Sequence, residues 1–129
     1  MIDTRWSLKR RFEYQGQSIA YDVLGEGVPI VLVHGTPFSS YVWRMIAREL
    51  ARNFKVYLYD LLGYGQSEKR KGQDVSLGVQ NDAFVALIDH WNLVTPNVIA
   101  HDFGGATVLR AHLINRCDYN KPPFPRWTR

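Results

Sequence analysis

The sequence contains little cysteine and no long apolar run. Its only cysteine is Cys117, so an internal disulfide is excluded, and no catalytic neighbour in the sequence marks this thiol as reactive. No apolar stretch approaches the roughly 20 residues that a membrane-spanning helix needs, and residues 1–6 have no apolar signal-peptide core. We therefore expect a cytoplasmic protein with no membrane partner.

Two binding signatures are also absent. No Gly-x-Gly-x-x-Gly motif follows the first buried strand. The glycine pair Gly25 and Gly27 stands before that strand instead, which argues against a dinucleotide-binding domain. The formal net charge of +4 comes with short basic clusters at 9–11 and 69–71, which are not interleaved with aromatic residues that could stack on bases. We expect solvated basic faces, no nucleic-acid partner, no metal and no cofactor.

The composition is that of one globular domain. Hydrophobic residues make up 46% of the 129 positions and aromatic residues 13%, which is enough to build a core. Alternating apolar residues predict an antiparallel hairpin over 9–14 and 17–23, and continuous β-branched runs predict buried strands. The predicted buried strands are 29–33, 54–59 and 97–101.

Two stretches between these strands have the spacing of amphipathic helices. One apolar stripe follows the serine pair at 39–40, and a second follows Ser76, both of which are typical helix caps. The first stripe consists of Trp43, Ile46, Ala47 and Leu50, and the second of Leu77, Phe84, Val85, Ile88 and Trp91, with Asn81 as a polar exception. Strands that alternate with helices predict an α/β fold with a doubly wound, mostly parallel sheet, which binds ligands beyond the carboxyl ends of its strands.

The segment 98–107 has the pattern of a nucleophile elbow, a tight turn from a strand into a helix. An apolar run ends at Asp102, with Ala100 two residues before it and Gly104 and Gly105 after it. Such a turn needs small residues around the nucleophile because backbone approaches backbone, so Asp102 is the candidate nucleophile. Its alternative role is that of a helix N-cap. Because successive strand residues face opposite sides, we expect His101 to pack rather than to act together with Asp102.

Three motifs stand in order at predicted strand ends. They are His-Gly-Thr-Pro at 34–37, Asp-Leu-Leu-Gly-Tyr-Gly-Gln-Ser at 60–67, and His-Asp-Phe-Gly-Gly at 101–105. With them the chain, from about residue 9 to about residue 118, resembles the aspartate-nucleophile branch of the α/β-hydrolase superfamily. This branch holds haloalkane dehalogenases, haloacetate dehalogenases and epoxide hydrolases. Segment 38–44 also resembles the one that follows the first motif in haloalkane dehalogenases.

The resemblance implies a role for each motif. Asp102 attacks a carbon that bears a halide or an epoxide oxygen, and water then opens the alkyl-enzyme ester. The backbone N–H groups of Thr36 and Phe103 form the oxyanion hole. The remaining positions are structural: His34, Gly35, Pro37, Asp60, Gly63, Gly65, Gly104 and Gly105. Haloalkane dehalogenases carry Asn in place of Thr36 and Trp in place of Phe103, and those side chains bind the leaving halide, so both replacements count against halide release.

The resemblance also implies parts that this sequence lacks. The family places its acid and its base histidine after the elbow, in the order nucleophile, acid, base. After Asn120 comes a segment with three prolines, which is unsuited to a central strand. We therefore expect a partial α/β-hydrolase core over 1–120 and an aberrant tail over 121–129, without the cap or the later strands, as a truncation or a frame shift would leave it.

Two functions stay open at this point. One is a hydrolase of a small organic substrate, represented here by an incomplete and inactive chain. The other is a non-catalytic fragment or interaction module. In either case the strand 97–101 would lie at an apolar sheet edge, and we expect self-association through that edge.

Overall fold

The computed structural model describes residues 6–120, which form five strands and three α-helices. In chain order the strands are β1 (Arg10–Tyr14), β2 (Gln17–Leu24), β3 (Val28–Val33), β4 (Phe54–Tyr59) and β5 (Asn97–Ala100). The helices are α1 (Arg44–Leu50), preceded by a 3-10 turn at Ser40–Trp43, then α2 (Leu77–His90) and α3 (Phe103–Asn115). The predicted tail 121–129 lies outside the described residues. None of the helices within 6–120 combines the length and the apolar composition that crossing a membrane would require.

The five strands form one sheet in the order β1-β2-β4-β3-β5. Strands β4, β3 and β5 are parallel, while β2 is antiparallel to both of its neighbours, β1 and β4. Strand β2 therefore runs against the other four. The sheet confirms the predicted α/β class, with parallel strands on one side and an antiparallel N-terminal hairpin on the other.

Helices cover both faces of the sheet, because the side chains of a strand alternate between the faces. On β3, Leu32 belongs to the core under α1, while Val31 and Val33 belong to the core under α2 and α3. The core under α1 consists of Leu8, Ala20, Ile30, Leu32, Trp43, Ala47, Val56 and Leu58. The larger core on the other face is rich in aromatic residues and includes Tyr57, Tyr59, Phe84 and Trp91.

Two elements differ in detail from the sequence prediction. The stripe assigned to the first helix begins as a 3-10 turn, and Ile46, one of its four residues, is 47% exposed, so only part of the stripe faces the sheet. Strand β2 was expected to be half-buried, but its central side chains are buried in the two cores on both faces of the sheet. Its Asp22 is consequently buried, where it accepts hydrogen bonds from the Lys9 and Val23 backbone N–H groups.

Candidate functional site

Asp102 lies at the tight turn between β5 and α3. Its backbone has φ 55° and ψ −119°, a region that residues other than glycine rarely adopt and that costs about 1–3 kcal/mol. The turn is held by a hydrogen bond from the Gly104 N–H to the His101 carbonyl (2.9 Å). Asp102 occupies the N-cap position of α3, yet its carboxylate accepts no hydrogen bond from the helix, so the N-cap alternative is wrong. The residue is exposed, at the carboxyl ends of the parallel strands.

Gly104 explains how α3 reaches the sheet so closely. A Cβ atom at this position would lie 2.5 Å from the Val33 carbonyl oxygen and 2.6 Å from the His34 carbonyl oxygen. Both distances are far below van der Waals contact, so the end of β3 packs directly on the Gly104 backbone. Gly105 differs, because nothing within 4 Å would meet its Cβ.

Gly35 brings the loop after β3 against the elbow. A Cβ on Gly35 would lie 2.8 Å from the Asp102 Cβ and 3.1 Å from the His101 Nδ1. Both His101 and Asp102 lie beyond β5, which ends at Ala100, so strand alternation does not set the directions of their side chains. The His101 ring is exposed rather than packed in the core, with its centroid 6.5 Å from that of Phe38.

Two backbone N–H groups near Asp102 make no hydrogen bond to any described residue. They belong to Thr36, next to Gly35, and to Phe103, next to Asp102. Both residues are half-buried. These two N–H groups can therefore donate to water or to a bound group. Pro37 follows Thr36 and is exposed.

Asp60 is buried and hydrogen-bonded both to its own loop and to the 3-10 turn before α1. Its Oδ1 accepts a hydrogen bond from the Ser40 N–H and its Oδ2 one from the Gln66 N–H, each at 2.7 Å. Gly65 has φ 55°, and a Cβ there would collide with the Asp60 carboxylate. Gly63 also has a positive φ, 84°. These contacts are those of a residue that orders a glycine loop, and they leave both carboxylate oxygens occupied.

His34 is buried and engaged through both ring nitrogens. Its Nε2 accepts a hydrogen bond from the Leu61 N–H (3.0 Å), so Nδ1 carries the proton and donates to the Gly35 carbonyl (2.8 Å). Burial lowers the pKa of His34, because desolvation disfavours the charged ring. The imidazole thus links the loop after β3 to the loop after β4 and has no nitrogen left for chemistry.

Gln80 is a supporting residue that the sequence analysis did not identify. It is fully buried on α2, accepts a hydrogen bond from the Leu62 N–H and donates one to the Leu62 carbonyl. It thereby holds the loop that begins at Asp60. The local pattern gave no signal for it, because its partner Leu62 lies 18 positions away in the sequence.

The other two histidines of the chain make hydrogen-bond contacts away from the elbow. His90, on α2, contacts the Tyr21 hydroxyl, and His112, on α3, contacts the Cys117 carbonyl. At the carboxyl ends of β3, β4 and β5, no histidine among residues 6–120 is hydrogen-bonded to a carboxylate. The same residues contain no cluster of three or more His, Cys, Asp or Glu side chains that could hold a metal ion.

Comparison with known proteins agrees with this geometry. Residues 28–116 match the family model of the alpha/beta hydrolase fold. A haloalkane dehalogenase from Agrobacterium fabrum is 37% identical over 86 residues, covering 64% of this chain and 27% of that protein. A soluble epoxide hydrolase from Corynebacterium sp. is 36% identical over 101 residues, 78% of this chain and 35% of that protein.

A solved structure gives the same result in three dimensions. The crystal structure of an alpha/beta hydrolase fold protein from Burkholderia ambifaria superposes with a TM-score of 0.85 at 58% sequence identity. The match covers 88% of this chain and 42% of that one. The chain spans only about a third of the length of the curated relatives it matches, 27% and 35% in the two named above.

Proposed function

This chain belongs to the alpha/beta hydrolase fold family, and from that premise we propose that Asp102 is the nucleophile of a reaction at an sp3 carbon. A carboxylate oxygen forms a bond to the carbon while a carbon–halogen bond or an epoxide C–O bond breaks. The leaving electron pair goes to the halide or to the ring oxygen. The observation that supports this proposal is the exposed carboxylate of Asp102, which caps no helix and sits on a strained turn above the parallel strands.

The second step of the proposed reaction is hydrolysis of the ester on Asp102. Water adds to the ester carbonyl, and negative charge develops on its oxygen. The unpaired N–H groups of Thr36 and Phe103 would stabilise that oxygen, and one such donor is typically worth about two to three orders of magnitude in rate.

Small organic epoxides and haloalkanes are the proposed substrate classes. The Phe103 side chain has no hydrogen-bond donor, and Thr36 has only a short hydroxyl, so these side chains give a leaving halide little support. An epoxide oxygen needs a proton as it leaves. The Phe103 side chain has no acidic proton, and the Thr36 hydroxyl is too weak an acid to supply one. Both classes therefore belong in the experiment.

The experiment is to incubate the chain with styrene oxide or with 1-bromobutane and to locate the adduct by peptide mass spectrometry. We expect one alkyl group per chain, on Asp102, and none in Asp102→Asn. Asp89→Asn is the matched control, because Asp89 is also an exposed aspartate but lies on α2, and it should be labelled like the parent. Equal labelling of Asp102→Asn and the parent would refute the nucleophile assignment.

We also propose that the 129-residue chain does not turn over by itself. Opening the ester needs a base to activate water, and the described residues show no histidine–carboxylate pair at the carboxyl ends of the strands. That same observation favours the second candidate function, a non-catalytic module. A chain that folds but gives no Asp102 adduct with either reagent would support the module.

For either function we propose that the chain self-associates through the open edge of β5. This strand is the last of the sheet and pairs only with β3 among the described residues. Unpaired edges of this kind are templates for another strand.

A further inference from the structure

The segment 6–8, before β1, is attached to the loop that follows β4. The Gln66 side chain holds this segment by two hydrogen bonds: its Nε2 donates to the Trp6 carbonyl (3.3 Å), and its Oε1 accepts from the Leu8 N–H (3.0 Å). The Leu8 side chain is buried in the core under α1, and Trp6 packs against the same core. Segment 6–8 is therefore fixed both by polar contacts and by burial.

A closed circuit of hydrogen bonds joins this segment to the 3-10 turn before α1. The Trp6 indole N–H donates to the Ser40 hydroxyl (3.1 Å). The carboxylate of Asp60 then accepts from the Ser40 N–H at Oδ1 and from the Gln66 N–H at Oδ2. The Gln66 side chain returns to the Trp6 carbonyl and closes the circuit. We call these four residues the Asp60 network. Ser40 and Asp60 are buried, so their hydrogen bonds are shielded from water.

Thr36 lies between two fixed points of the backbone. One is Gly35, whose carbonyl accepts a hydrogen bond from the Phe38 N–H (3.1 Å) and so closes the turn around Thr36. The other is Ser40, which the Asp60 network holds at both its N–H and its hydroxyl. The Thr36 N–H makes no hydrogen bond to any described residue. Its position is therefore set by these two points and not by a partner of its own.

We propose that the Asp60 network positions the Thr36 N–H for the oxyanion of the ester on Asp102, with Trp6 and Gln66 as positioning residues. This inference rests on the proposed function, because it assigns a support to one of the two oxyanion donors. A donor stabilises developing charge best when it is in place before the charge appears. Loss of the Trp6 indole N–H should therefore weaken the oxyanion hole while leaving Asp102 itself unchanged.

Two tryptophans of the same core provide a matched test. The Trp43 side chain is buried in the core under α1, but its indole N–H has no hydrogen-bond partner among the described residues. Replacement by phenylalanine removes the indole N–H from either residue and reduces the aromatic volume of the same core. Only Trp6→Phe breaks the Asp60 network, so Trp43→Phe is the control for effects of packing alone.

The first measurement needs no substrate. The order parameter of the Thr36 amide, from ¹⁵N relaxation, should be about 0.85 in the parent, as in rigid backbone, and should fall towards about 0.6 in Trp6→Phe. Gln66→Met, which removes both hydrogen bonds to segment 6–8 and keeps the length of the side chain, should lower it as well. Trp43→Phe should leave it at the parent value. Equal values in both tryptophan variants would overturn the proposal.

The second measurement follows the opening of the ester. Chain that carries a butyl group on Asp102, from 1-bromobutane, is treated with hydroxylamine. Its nitrogen bonds to the ester carbonyl carbon, the C–O bond to the butyl group breaks, and butanol leaves with a proton from that nitrogen, so Asp102 becomes a hydroxamate. The step passes through the same oxyanion and needs no histidine.

We expect Trp6→Phe to slow this opening about tenfold, which is part of the two to three orders of magnitude that a whole donor is worth. Alkylation itself should keep the parent rate, because no negative charge develops on the carbonyl oxygen in that step. A loss of folded structure would slow both steps alike, so the difference between the two rates identifies positioning.

The outcomes separate this proposal from the nucleophile assignment. If Asp102 is not alkylated in the parent, the proposed function fails, and the order parameter of Thr36 alone decides whether the Asp60 network fixes that N–H. If Asp102 is alkylated but Trp6→Phe and Trp43→Phe open the ester at the same rate, the positioning role is refuted while the nucleophile assignment stands.

Discussion

Gly104 and Gly105 follow the same aspartate, yet only Gly104 lacks room for a side chain. Alanine at 104 would push its Cβ into the carbonyl oxygens of Val33 and His34, whereas alanine at 105 meets nothing within 4 Å. We expect Gly104→Ala to lower the free energy of unfolding by about 1–3 kcal/mol, because α3 must move off the sheet.

Gly105→Ala is the matched control. Alanine is the better helix former by up to about 1 kcal/mol, so this variant should be neutral or more stable than the parent. Urea unfolding followed by circular dichroism measures both variants. If they lost equal stability, the close packing of Gly104 on β3 would not be the reason that glycine stands there.

His34 gives the fold a pH dependence with a definite sign. Its pKa is lowered in the folded chain by burial, so below the unfolded value of about 6.5 the unfolded chain binds a proton that the folded chain does not. Stability contributed by the neutral ring is complete above that pH and is lost as the pH falls towards the lowered folded pKa. The slope due to this one group reaches at most about 1.4 kcal/mol per pH unit.

His34→Gln isolates this contribution. Glutamine does not titrate and keeps an acceptor for the Leu61 N–H. The variant should be less stable overall, but its stability should fall less than that of the parent between about pH 7 and about pH 5, on either side of the ordinary histidine pKa. Identical slopes in urea unfolding series would show that the His34 pKa is not lowered.

Some residues of the candidate site could be predicted from the sequence and others could not. The spacing of small residues predicted the elbow at Asp102, because a tight turn restricts residue size locally. Gln80 was not found, since its partner at Leu62 lies 18 positions away and no local pattern announces the contact. The expectation that His101 packs was wrong, because strand alternation was extended beyond Ala100, where β5 ends, and His101 is exposed.

Helix α2 is the element whose start was predicted most directly. Ser76 was expected as its cap, and its hydroxyl accepts a hydrogen bond from the Val79 N–H (3.4 Å). Ser76→Ala should destabilise the chain by about 1 kcal/mol, because the helix then begins with one more unpaired N–H.

Ser76→Asp keeps an acceptor at the same place and adds negative charge at the positive end of the helix. It should therefore stay close to the parent in thermal unfolding, and the difference between the two variants measures the cap. Equal losses would mean that the serine hydroxyl matters through something other than capping.

Strands with a clear hydrophobic pattern could be predicted from the sequence, but their neighbours in the sheet could not. The continuous apolar run of β4 predicted a buried strand, and its bounds, Phe54–Tyr59, agree with the structure. The period of β2 indicated one buried face, but pairing with β4 placed it inside the sheet and buried Asp22 as well. Strand order is set by contacts between distant segments, so it could not be read from either segment alone.

Within residues 6–120, the elbow at Asp102 and the two loops ordered by the buried His34 and Asp60 lie together at the carboxyl ends of the parallel strands. The alpha/beta class followed from the alternation of strands and helices. Among residues 6–120, strand β5 is the last strand of the sheet. The geometry supports bond formation at Asp102 more directly than it supports release of the product.

Counting the released halide tests whether the whole chain completes only the first step of the reaction. With 1-bromobutane, the parent should release about one bromide per chain and then stop, because the ester on Asp102 has no base-activated water to open it. Asp102→Asn should release none.

Sustained release that vanished in Asp102→Asn would show that the chain does contain a working base. His101, exposed beside Asp102 at Gly35, would then be the histidine to replace, since the rings of His34, His90 and His112 are engaged elsewhere. Release that stops after one equivalent, and stays so in His101→Ala, would mean that the half of the reaction carried by this chain ends at the ester.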